Sequence, residues 1–212
     1  MRNKNWPWLV SKMRKIIIGS GNQHKIEEIK VFFSDLEFNF EGLDPELELP
    51  EVIEDGKSYQ ENALKKARQR AEELNEIVLA DDSGLSVEYL DGAPGIYSAR
   101  FGGDDLSDQE KYLKVLKLLE GQPEANRKAA FISVIALVDP FRNMEITVKG
   151  KCEGIIAEEP AGENGFGYDP IFYLPEYDKT MAQISQEEKN KISHRGRALQ
   201  KIKTRIKERY IK

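Results

Sequence analysis

The chain has 212 residues, of which 40% are hydrophobic and 33% charged, with a formal net charge of -5. This is the balance of a globular domain with a sizeable core, and it excludes a disordered chain or a nucleic-acid scaffold that works by bulk positive charge. Cys152 is the only cysteine, so an intrachain disulfide and a cysteine-based zinc site are excluded, which fits a reducing cytoplasm.

No apolar run approaches the roughly 20 residues that a membrane-spanning helix needs. Residues 1–12, MRNKNWPWLVSK, carry two Trp around a Pro, with an apolar part too short for a signal peptide. Met13 precedes a clean strand, so residues 1–12 are expected to be a disordered extension and 13–212 a single domain.

Ile16-Ile17-Ile18 reads as a short buried strand, and Gly19 to Asn22 turns the chain. A helix follows with Ile26, Ile29, Phe33 and Leu36 on one face, then a strand in which Phe38 and Phe40 alternate with polar residues. Pro45 to Gly56 reads as an acidic surface loop. Ser58 to Glu73 is helical, and Tyr59, Ala63, Ala67, Ala71 and Leu74 make a narrow stripe suited to close packing. Ile77 to Val87 reads as two strand segments around Asp81-Asp82-Ser83-Gly84. Ser107 and Glu110 have capping-box spacing before a helix carrying Tyr112, Leu113, Leu116 and Leu119. Ala130 to Val138 alternates strongly, Asp139 to Asn143 is a hairpin loop, and Met144 to Ile156 returns, with Cys152 as strand packing. A last helix starts near Ser193 and carries Leu199, Ile202, Ile206 and Tyr210. Helices alternating with strands, then a long hairpin, predict an α/β fold with a mixed sheet.

The chemistry concentrates in four places. Asp81 and Asp82 end an apolar run, and two adjacent carboxylates at the rim of a core need a metal, a proton or a cation. The bland alternative is a polar turn whose Asp side chains bond their own backbone. Gly19-Ser20-Gly21-Asn22-Gln23-His24-Lys25 lies where a phosphate would meet a helix N-terminus. It is not a P-loop, because no Gly-Lys-Ser/Thr is present. It is an incomplete dinucleotide fingerprint, with His24 where a third glycine belongs and Glu41 at the acid position. What remains is another phosphate turn, with Ser20 and Asn22 as donors and Lys25 as cation, or a plain capped helix.

Gly165-Phe166-Gly167-Tyr168-Asp169-Pro170 allows close backbone approach and offers two aromatics to sandwich a flat ring, with Asp169 as acceptor, or it is an ordinary hairpin corner. In Lys189 to Arg195, Ser193 as N-cap would put His194 and Arg195 in a first helical turn. Cations there oppose the helix dipole, which suggests an anionic ligand; a solvated basic turn is the alternative. His24 and His194 lack a third ligand of suitable spacing for a metal.

Five motifs in order resemble the inosine triphosphate pyrophosphatase family, the non-standard purine triphosphate diphosphatases of the bacterial type. They are Ser20-Gly21-Asn22-Gln23-His24-Lys25, Glu61-Asn62-Ala63-Leu64-Lys65-Lys66-Ala67, Asp81 to Leu85 with Pro94 to Phe101, Gly165 to Pro170, and Ser193-His194-Arg195. The resemblance covers residues 15 to about 208. It implies an elongated α/β fold with two lobes around a central nucleotide-binding cleft, a homodimer, and Mg²⁺-assisted hydrolysis of ITP, dITP and XTP to monophosphate and pyrophosphate. It implies no nucleic-acid or membrane partner and a cytoplasmic location. By the same resemblance Asp82 is the general base and a metal contact, and Ser20, Gly21, Asn22, Lys25 and Lys66 hold the triphosphate. Ser83 lies near the metal; Phe166, Gly167, Tyr168, Asp169, His194 and Arg195 form the purine pocket, and Lys189 bonds substrate. The second metal ligand comes from Glu51 or Glu54 in the acidic loop.

Overall fold

The computed structural model describes residues 14–103 and 105–211, so the expected extension over residues 1–12 lies outside the described residues. Seven strands form one sheet in the order β2 (Phe38–Gly42), β1 (Arg14–Ile18), β3 (Ile77–Val87), β4 (Lys128–Asp139), β5 (Met144–Ile156), β6 (Phe172–Leu174) and β7 (Lys179–Thr180). β1 is parallel to β2 and β3, because α1 (Gln23–Phe32) and α2 (Tyr59–Leu74) serve as crossovers. The remaining pairs are antiparallel, so the predicted mixed α/β sheet is present.

Strand alternation sorts the core onto two faces. Ile16, Ile18, Leu79, Ile135 and Leu137 face α1 and α5 (His194–Tyr210). Ile17, Val78, Ala80, Val134 and Ala136 face α2, whose Ala63, Ala67 and Ala71 are buried and let the helix lie close. Beyond the acid pair, Leu85, Val87, Phe131, Cys152 and Phe172 form a further cluster with Val115 and Leu119. The charged stretch of β3 therefore lies where one body of core gives way to the next.

Several elements differ from expectation. α1 ends at Phe32, and Phe33 and Leu36 are buried from its C-terminal turn instead. α3 (Asp108–Leu118) has the predicted capping box, yet Leu113 is exposed because Val115 and Leu119 make its contact face. A short helix, α4 (Gln186–Ile192), precedes α5 and carries Lys189.

The main correction concerns β3, which is one unbroken strand of 11 residues. Asp81 and Asp82 sit in mid-ladder opposite Ile135 and Val134, neither at a strand end nor in a turn. Ser83 and Gly84 continue the ladder opposite Ser133 and Ile132. Gly84 is required by close packing: a Cβ there would press on Ser98 and the Gly95 carbonyl. Acids survive inside a strand because both faces supply cations.

Candidate active site

Adjacent strand residues point to opposite faces, so the acid pair is split between two environments. Asp81 faces α1 and α5. Its carboxylate accepts from Ser133 Oγ at 2.5 Å and pairs with Lys25 Nζ at 2.9 Å and Arg195 Nη2 at 3.4 Å. Burial alone would raise its pKa, but Lys25 and Arg195 outweigh burial and hold the carboxyl far below its ordinary value.

Asp82 faces α2. It accepts from Lys66 Nζ at 2.9 Å and Asn62 Nδ2 at 3.4 Å. Lys66 also donates to Glu54 Oε2 at 3.0 Å, so two acids share one ammonium. Burial, helped by the Glu54 charge, pushes Asp82 up to about 6 against the pull of Lys66. For Glu54 burial acts upward, and Lys66 more than offsets it, leaving the carboxyl below its ordinary value. Arg100 Nη2 donates to the Glu54 carbonyl at 3.0 Å and fixes this part of the acidic loop. Glu51 is exposed and has no hydrogen-bond or ion-pair partner among the described residues.

The turn before α1 is organised as a helix cap. Asn22 Oδ1 accepts from Lys25 N at 3.1 Å and Ser20 Oγ accepts from Asn22 N at 3.1 Å, while Gly21 is exposed. Lys25 is directed from the first turn of α1 back onto Asp81. Burial lowers its pKa, and the neighbouring charges of Arg195 and Lys66 add to that. The acid that completes a dinucleotide fingerprint is not engaged here, since Glu41 pairs with Lys15 at 3.0 Å.

Ser193 caps α5 as expected, accepting from Gly196 N. The positive charge of its first turn is neutralised within the protein: Arg195 pairs with Glu28 at 2.6 Å as well as with Asp81, and donates to Ser83 Oγ at 3.0 Å. Burial, reinforced by the Arg195 charge, lowers His194 well below its ordinary value and keeps the imidazole neutral. Lys189 is buried between Asp169 at 2.8 Å and Glu28 at 3.4 Å.

Tyr168 is buried in the core and its hydroxyl donates to the Ser98 carbonyl at 2.8 Å. Phe166 stacks on His24 with centroids 5.4 Å apart, and Lys189 and Arg195 lie over its ring at 5.0 and 5.4 Å. Asp169 is committed to Lys189 and to Phe166 N at 2.9 Å. A cavity of about 250 Å³ is lined by Phe166, Gly167, Tyr168, Asp169, Lys189, His194 and Arg195, and also by Asn22 and Ser83. Two atoms of its lining residues, His194 Nδ1 and Arg195 Nε, are buried without a partner among the described residues.

Glu28 and Ser133 escaped sequence reading, and Asn62 entered it only within a family motif, with no role assigned. Glu28 lies three residues beyond Lys25 on α1 and bridges Lys189 and Arg195. Asn62 is fully buried and also accepts from Gly56 N at 2.8 Å. Ser133 was signalled by a hydroxyl in the middle of an otherwise apolar strand.

Fold and site together define an open mixed α/β sheet with a buried acid–lysine cluster at its centre and a donor-lined cavity beside it. The chain belongs to the Ham1 family, whose model matches residues 16–205. It is 49% identical over 196 residues to a protein of Thermoanaerobacter pseudethanolicus named dITP/XTP pyrophosphatase, covering 92% of this chain and 98% of that one. A Bacillus cereus protein of the same name is 43% identical over 203 residues, covering 95% and 99%. The solved HAM1 protein of Coxiella burnetii superposes with a TM-score of 0.85 at 42% identity, covering 92% of this chain and 100% of that one.

Proposed function

We propose that this chain hydrolyses non-standard purine nucleoside triphosphates, ITP, dITP and XTP, to the monophosphate and pyrophosphate. The observation that carries this reading is the cavity lined by His194 and Arg195, whose Nδ1 and Nε are buried without partners among the described residues, together with the Lys25–Asp81 and Lys66–Asp82 pairs. The relatives named dITP/XTP pyrophosphatase support it.

The base occupies the cavity beside Phe166. The Arg195 Nε–H calls for an acceptor, which the 6-oxo group of hypoxanthine or xanthine supplies and the 6-amino group of adenine does not. A buried donor left unmatched costs on the order of 1–3 kcal/mol. Guanine also has a 6-oxo group, so its exclusion rests on crowding at the 2-amine. Ser20, Gly21, Asn22, Lys25 and Lys66 receive the triphosphate, with Lys189 and Glu28 fixing Arg195 and the Phe166 loop.

Water attacks the α-phosphorus, its oxygen forming the new P–O bond while the bond to the bridging oxygen breaks and pyrophosphate leaves. Asp82 takes the proton. A carboxyl pushed up to about 6 is ionised at neutral pH yet basic enough for that task. The two carboxylates sharing Lys66 are the oxygen donors that Mg²⁺ favours, so Asp82 and Glu54, rather than Glu51, would hold it. When bound it offsets charge on the phosphate oxygens. By family resemblance the enzyme is a cytoplasmic homodimer, for which light scattering should give twice the chain mass.

The test is a panel of nucleoside triphosphates, with and without Mg²⁺, read by pyrophosphate release. ITP, dITP and XTP should far outpace ATP and GTP. Release of single phosphate refutes the reaction, and equal rates across the panel refute the base selection.

A further inference from the structure

The buried stripe of α3 contains a charge. Lys111, Val115 and Leu119 follow one another at intervals of four residues and all three are buried. Val115 and Leu119 join the cluster of Leu85 and Val87. Lys114 and Lys117 of the same helix are exposed, the ordinary state of a lysine. Lys111 keeps only 9% of its exposure. It lines the cavity beside Phe166 and, among the described residues, makes no hydrogen bond or ion pair. A leucine would fill the stripe without the cost of taking an ammonium out of water, so the charge calls for a partner within the cavity.

The placement of α3 says what that charge meets. Asp108, three residues before Lys111, accepts from Gly167 N at 2.7 Å and fastens this face of the helix to the loop that carries Phe166. Asp108 and Lys111 both line the cavity, together with Ser83 and Gly84 of β3. Arg195 is bonded to β3 at Asp81 and Ser83, whereas the α3 stripe packs with Leu85 and Val87 further along the same strand. Lys111 and Arg195 therefore belong to separate walls of one cavity, one from α3 and one from α5.

The geometry points to Lys111 as a specificity-determining residue that reads position 2 of the purine. This rests on the proposed hydrolysis and on Arg195 meeting the 6-oxo group. Positions 2 and 6 flank N1 on one edge of the ring, so with Arg195 at position 6 a donor from the α3 wall meets the substituent at position 2. An ammonium donates and cannot accept. Xanthine offers it a 2-oxo group, an acceptor. Hypoxanthine has a C–H there, which neither answers nor opposes the donor. Guanine sets its 2-amine against the ammonium, donor against donor, so the crowding that excludes it is electrostatic as well as steric.

The discriminating substitution is Lys111→Met, which keeps the length of the stem and removes charge and donors. With Mg²⁺ and a pyrophosphate readout, kcat/KM for XTP should fall about tenfold relative to that for ITP, as loss of a charged hydrogen bond predicts. The ratio is taken within one protein, so a general loss of folded enzyme cancels. Lys111→Gln, which adds an acceptor, should raise the GTP-to-ITP ratio, and it supplies the reading if the Met variant does not fold. An unchanged XTP-to-ITP ratio in Lys111→Met, or an unchanged GTP-to-ITP ratio in Lys111→Gln, overturns the assignment. Wild-type protein that releases no pyrophosphate from any of these nucleotides overturns the functional reading and this one with it. An active wild type whose ratios the variants reproduce overturns this one alone.

Discussion

The two neighbouring acids of β3 should respond in opposite ways to the same substitution. Asp81→Asn keeps the shape and removes the charge from a fully buried side chain that pairs with Lys25 at 2.9 Å and Arg195 at 3.4 Å. Arg195 retains Glu28 at 2.6 Å, whereas Lys25 has no ion-pair partner besides Asp81 among the described residues. Removing one member of a buried pair typically costs 3–5 kcal/mol, and because the Lys25 side chain keeps 16% of its exposure the lower end, about 3 kcal/mol, applies. At about 2–4 °C per kcal/mol for a chain of this size, the Tm should fall by about 6–12 °C. Asp82→Asn should not follow, because Lys66 retains Glu54 at 3.0 Å and burial already disfavours the charged form of Asp82. Its Tm should stay within about 2 °C of wild type or rise, while turnover of ITP is abolished and nucleotide binding persists. Thermal melts by circular dichroism and a pyrophosphate-release assay read the two effects separately. Equal losses of Tm in both variants, or near-normal turnover in Asp82→Asn, would refute the division of roles.

Gly150→Ala should lower the Tm and raise KM for ITP together. Its Cβ would press on the His194 carbonyl and lie 2.7 Å from Ala198 N, forcing the start of α5, and with it Arg195, off the sheet. Overpacking of this kind costs about 1–3 kcal/mol, and an unchanged melt with unchanged KM would contradict it. Cys152 should be inert to thiol reagents in the native protein. Burial pushes its thiol up to about 11, so only about one molecule in a thousand is thiolate at pH 8. Prompt native reaction with a disulfide reagent, rather than reaction only in guanidinium, would count against that burial. Chelation with EDTA should stop pyrophosphate release and added Mg²⁺ restore it; release that persists after chelation would remove the Asp82–Glu54 metal assignment.

Much of this protein is legible before folding is considered. Local rules placed the β4–β5 hairpin, the Ser107–Glu110 capping box and the Ser193 cap of α5, because backbone caps and strand alternation act over a few residues. Local chemistry singled out Asp81 and Asp82 as charges ending an apolar run, Lys25 as the cation of a helix-start turn and Arg195 as a cation in a first helical turn, while Lys66 entered through the family resemblance. Which partner each would have was not legible. The choice between a turn and a strand at Asp81-Asp82 depended on cations arriving from α1, α2 and α5, 114 residues away in the case of Arg195. Only the assembled sheet decides that neighbouring acids face opposite sides, one locked between Lys25 and Arg195 and the other sharing Lys66 with Glu54. Likewise the sequence offered Tyr168 as a stacking residue and Tyr59 as packing. The tertiary structure buries Tyr168, whose hydroxyl donates to the Ser98 carbonyl, and leaves the Tyr59 hydroxyl without a partner among the described residues, because burial and hydrogen-bond satisfaction belong to the packed whole.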